Sequence, residues 1–94
     1  MNNIISNSLS RKAMKEAKMF IDNLMLIEGQ AVEFEKAMNC IKHICEKYTL
    51  STFLDTKNNQ ILVLQNGKAV GLMPLQGDSF NSINSIGILY GEAA

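Results

Sequence analysis

The sequence predicts an α+β protein: two N-terminal helices packed on a small antiparallel sheet centred on a β-hairpin, 60–65 and 68–73. Three observations carry this. Two apolar runs flank Asn66-Gly67, the strongest short-range signal for a hairpin. Apolar residues in the first half of the chain recur at helical spacing. The strand-like segments follow the helices instead of alternating with them, which argues against a parallel sheet.

Residues 1–6 read as a short strand holding Ile4 and Ile5. Ser8 or Ser10 is placed to cap the helix that follows. Leu9, Ala13, Ala17, Phe20, Ile21, Leu24 and Ile27 give that helix its stripe, and Gly29 ends it. The second helix spans about 31–48, with Phe34, Ala37, Met38, Ile41, Ile44, Cys45 and Tyr48 on one face. Glu33 and Glu35 at its start and Lys42 and Lys47 late suit the helix dipole. The two helices are expected to pack as a hairpin.

A strand is expected over 50–54, then a loop at Asp55–Asn59. The Asn66-Gly67 turn needs positive φ at both central residues, which Asn and Gly tolerate best. The register that follows pairs Gln65 with Lys68, Val63 with Val70 and Ile61 with Leu72 on one face. Leu64–Ala69, Leu62–Gly71 and Gln60–Met73 share the other. The first face belongs in a core. The second is also apolar, so a helix or a second copy of the chain must cover it. Pro74 is expected to end the hairpin. The C-terminal segment reads as helix or strand. Phe80, Ile83, Ile86 and Tyr90, behind a cap at Asp78 or Ser79, favour helix. Ile86, Ile88 and Tyr90 alternate as a strand does.

With 94 residues the chain is read as a single domain, 1–94. A chain this short buries roughly 60–65% of its unfolded surface, and dimerisation is a common way to add core. At 47% hydrophobic and 19% charged, the composition is globular. Nine basic and nine acidic residues cancel, which excludes a whole-molecule electrostatic grip on nucleic acid. A local basic cluster remains in Arg11, Lys12, Lys15 and Lys18, against Glu16. The N-terminus lacks an apolar signal core, and no run approaches the ~20 apolar residues of a membrane span. The expectation is cytoplasmic, without membrane contact.

Cys40, His43 and Cys45 are the only thiol and imidazole groups. Cys40 and Cys45 point about 140° apart on a helix, so no disulfide is expected between them. The set lacks CxxC or HxxxH metal spacing. A nucleophile–base reading of Cys40 and His43 lacks a glycine-rich elbow. The plain reading puts Cys45 in the core, Cys40 at its border and His43 at the surface. The acids are scattered, and no glycine pattern matches a phosphate loop. No metal, cofactor or catalytic residue is expected.

Two stretches carry a resemblance. Ile5, Ser6, Ser8 and Arg11 follow the N-terminus, and Gln65 to Leu75 (QNGKAVGLMPL) precede Phe80-Asn81-Ser82-Ile83. Over residues 1–11 and 60–83 the chain resembles antitoxins of the Phd/YefM family. The resemblance implies a dimerising N-terminal domain that binds its operator and a C-terminal tail that wraps a toxin. By position it implies DNA contacts at Ser8 and Arg11. Lys12 and Lys15 join them from the basic cluster.

The function expected from these readings is a small non-enzymatic regulator that binds a protein partner. It would be an adaptor, chaperone or inhibitor carried by a phage or mobile element, and is expected to be a homodimer. Its interface would be the second hairpin face, with Leu62, Leu64 and Met73. The alternatives are an antitoxin-like DNA-binding autorepressor, and a Cys/His-dependent enzyme or metal protein.

Overall fold

The computed structural model describes residues 4–29, 31–78, 81–89 and 92–93. The chain is α+β. Strand β1 (Ile5–Ser6) leads into helix α1 (Ser8–Glu28), then strand β2 (Val32–Glu33) into helix α2 (Phe34–Lys47). Strands β3 (Ser51–Asp55), β4 (Gln60–Gln65), β5 (Lys68–Asp78), β6 (Ser82–Ile86) and β7 (Glu92–Ala93) follow. The main sheet is antiparallel, in the order β2-β6-β5-β4-β3, and β1 pairs with β7 in a separate parallel pair.

Helix α1 is capped one residue earlier than expected. Asn7 accepts from the Ser10 N–H at 2.8 Å, and the Ser10 hydroxyl accepts from the Asn7 N–H at 3.0 Å. Ser10 is thus the reciprocal partner of the cap. Gly29 closes the helix in a left-handed conformation.

Helix α2 starts at Phe34, later than the pattern suggested, because Val32 and Glu33 are taken into the sheet against Ile83 and Ser82. Glu33 becomes the N-cap but makes no side-chain cap bond. The helices run antiparallel. Lys36 Nζ near the start of α2 meets Glu28 at 2.6 Å, and Lys47 at its end meets Glu16 at 2.5 Å. Tyr48 donates to the same Glu16 at 2.6 Å.

The Asn66-Gly67 turn forms, with φ of 51° and 79°. The hairpin register holds for Gln65–Lys68 and Leu64–Ala69 and then slips. Val63 pairs with Gly71, Leu62 with Leu72, and Ile61 with Met73. Val70 is the extra residue of a β-bulge. A one-residue slip exchanges the two faces of the rest of β5. Met73, expected on the outer face, lies fully buried beside Ile61, and Leu72 moves outward beside Leu62.

Pro74 does not end β5. Its carbonyl accepts from the Gly87 N–H at 2.9 Å, so pairing on that side continues although proline has no N–H to donate. The C-terminal segment is strand: β6 pairs with β5 from Leu75–Ile86 to Asp78–Ser82. That corrects the helical spacing, whose end members Phe80 and Tyr90 lie outside the described residues, as does the cap candidate Ser79. Asp78, the other candidate, belongs to β5.

The core lies between the helices and one face of the sheet. Ala13, Met14, Ala17 and Ile21 of α1 join Ala37, Ile41, Ile44 and Cys45 of α2. From the sheet come Val32, Ile61, Val63, Met73, Leu75, Ile83 and Ile86. Gly71 lets α1 approach: a Cβ there would collide with the Met14 thioether. Among the described residues no helix is long and apolar enough to cross a membrane.

Candidate functional site

Paired residues of antiparallel strands project to the same face. The register therefore defines the sheet's outer surface. Phe53 pairs with Leu62, Leu62 with Leu72, and Leu72 with Leu89 through an isolated bridge. These four side chains form one apolar row across the sheet, on the face away from the helices. Leu64 and Pro74 flank it. Phe53 is 56% exposed and Leu89 53%. Leu62, Leu64 and Leu72 are half-buried. Ser51, Gln60, Gln76 and Ser85 supply a polar rim on the same face.

Of the predicted interface residues, Leu62 and Leu64 are on this surface and Met73 is not. Phe53, Leu72 and Leu89 were missed. Phe53 was legible once β3 was paired with β4. Leu72 was not, because nothing local announces the bulge.

The predicted DNA-contacting residues sit on or near the first two turns of α1. Ser8, Lys12 and Lys15 are exposed. Arg11 is half-buried, and its Nε donates to the Ser6 hydroxyl at 3.0 Å, so part of the guanidinium is engaged in holding β1 to the helix. Lys12 and Lys15 border an open groove with Met19, Phe20, Asn23 and Tyr48.

Cys45 is fully buried in α2, and burial pushes its thiol up to about 11. Cys40 is half-buried and His43 exposed. Both line a shallow depression with Phe20, Asn39 and Ile44, but among the described residues no hydrogen bond joins them. Nor do three His, Cys, Asp or Glu side chains gather there, or elsewhere among the described residues, as metal ligands would.

A second apolar feature lies at the end of α1, where Leu26 is 79% and Ile27 81% exposed. No protein-family model, curated protein or solved structure matches this chain.

Proposed function

We propose that this chain is a non-enzymatic regulatory module that binds a protein through the outer face of its sheet. The observation that carries the reading is the row Phe53–Leu62–Leu72–Leu89, uncovered by either helix and bounded by polar residues. An apolar centre with a polar rim is the anatomy of a protein-binding patch. Adaptor, chaperone and inhibitor are the roles such a surface serves.

The test is affinity capture from native lysate, with and without nuclease. A stoichiometric protein retained by the wild type and lost with Leu62→Lys and with Leu72→Lys supports the reading. Both variants must keep the wild-type circular dichroism. Retention by both variants overturns it.

The second reading is an antitoxin-like autorepressor, favoured by the exposure of Ser8, Lys12 and Lys15 beside Arg11 at the start of α1. It would show as nuclease-sensitive recovery of one DNA site. Binding would fall steeply with salt and weaken on Arg11→Ala.

A further inference from the structure

We infer that β3 is the seam of a homodimer: two copies join antiparallel about a two-fold axis at Phe53, making one continuous sheet.

The backbone determines which groups β3 offers. A two-residue turn closes on a pair that exchanges both hydrogen bonds, here Gln65–Lys68. Alternation then turns the backbone groups of Gln65, Val63 and Ile61 toward β5, and those of Leu64, Leu62 and Gln60 toward β3. Bonds on the far side agree. Leu75 N–H donates to Asn59 O at 2.9 Å, whereas Leu72 exchanges bonds with Leu89, away from β4. The β3 partners of Leu64, Leu62 and Gln60 are Ser51, Phe53 and Asp55. Thr52 and Leu54, between them, therefore direct their N–H and C=O groups at the open edge.

That edge has few of the usual defences. Natural edge strands are shortened, bulged, or armed with Lys or Pro. The opposite edge, β2, has only two residues. β3 has five in unbroken register with β4, and contains neither Lys nor Pro.

The same groups specify a second copy and its register. With the axis at Phe53, Thr52 pairs with Leu54 of the other chain and Leu54 with its Thr52. Every outward N–H and C=O of the two residues is used. Shifting the axis to Thr52 would require the Leu50 N–H, which already donates to Cys45 O at 3.0 Å. Shifting it to Leu54 would require Thr56, which lies in the turn. In the Phe53 register each Asp55 faces a Ser51 hydroxyl, a donor, and no like charges oppose. The two Phe53 rings meet in a non-hydrogen-bonded pair, where side chains approach closest. The outer rows then run on across the seam. The dimer does not depend on the protein-binding reading, although it would double that surface.

Sedimentation equilibrium tests it. The wild type is expected at twice the 10.4 kDa chain mass. Phe53→Lys opposes two charges at the axis, and Thr52→Pro removes an outward N–H that has no acceptor among the described residues. Each is expected to give the single-chain mass with unchanged circular dichroism. In a Cys40→Ser background, Phe53→Cys is expected to oxidise to a covalent dimer. Cα atoms opposed in a non-hydrogen-bonded pair, about 4.5 Å apart, lie within the span of a disulfide. Ser51→Cys, which faces Asp55, is not expected to oxidise in this way. A monomeric wild type overturns the inference. So does a dimer that survives both edge substitutions, or a Phe53→Cys chain that fails to cross-link.

Discussion

At the residue scale, Thr49 is the clearest point of strain. It follows α2 with φ of 61°, a region that costs an L-residue about 1–2 kcal/mol and is least suited to a β-branched one. Its side chain is exposed. Thr49→Gly or Thr49→Asn is therefore expected to stabilise by ~1 kcal/mol, read as a higher urea midpoint at constant slope. Two glycines differ in the obstacle a methyl group would meet. At Gly71 it is the end of the buried Met14 side chain, and at Gly77 it is the Ser82 backbone carbonyl. Overpacking of this kind costs typically ~1–3 kcal/mol. Gly71→Ala is expected within that range and Gly77→Ala above it, since a side chain can yield and a paired backbone cannot. Equal losses in chemical denaturation would contradict the packing described for α1 on β5.

At the element scale, β4 separates the two faces of the sheet within one strand. Ile61 is buried against the helices, whereas its neighbour Leu62 is half-buried on the outer face. Ile61→Ala is expected to cost ~2–5 kcal/mol, and Leu62→Ala clearly less. A reversal of that order in denaturant titrations would show that the outer face is the core. The Asn66-Gly67 turn and the α1 and α2 stripes were readable because each depends on residues a few positions apart. The β5 bulge, β2 and β6 were not. Val32-Glu33 is strand only because β6 lies beside it, and β6 is strand only because β5 offers Leu75 to Asp78. Sheet pairing outweighed the helical spacing of Ile83 and Ile86.

At the scale of the whole molecule, the two helices are clasped by Glu16, Lys47 and Tyr48. Hydrogen bonds from Lys47 and Tyr48 hold the Glu16 carboxyl below its ordinary 4.5, and the bond to Glu16 raises Tyr48 above its ordinary 10.0. A carboxyl lowered on folding stabilises above its unfolded pKa and ceases to as pH falls through the folded value. A phenol raised on folding stabilises below its unfolded pKa and ceases to as pH rises through the folded one. The clasp thus contributes from about pH 4.5 to about pH 10 and fades on both sides. Glu16→Gln is expected to flatten both limbs of a Tm-against-pH profile. Tyr48→Phe is expected to flatten the alkaline limb more than the acid one. Unchanged limbs in both variants would remove the clasp as a source of the pH dependence. Local residue patterns were enough for the α+β class, the hairpin turn, the two helical stripes, and the burial of Cys45 with His43 outside. Each is set by local periodicity or backbone preference. Long-range pairing set the strand order, the slip that buries Met73 and turns Leu72 outward, the strand character of Ser82–Ile86, and the open edge at β3. These depend on which segments lie side by side, and hydrogen bonding between residues distant in sequence leaves no signature in local composition.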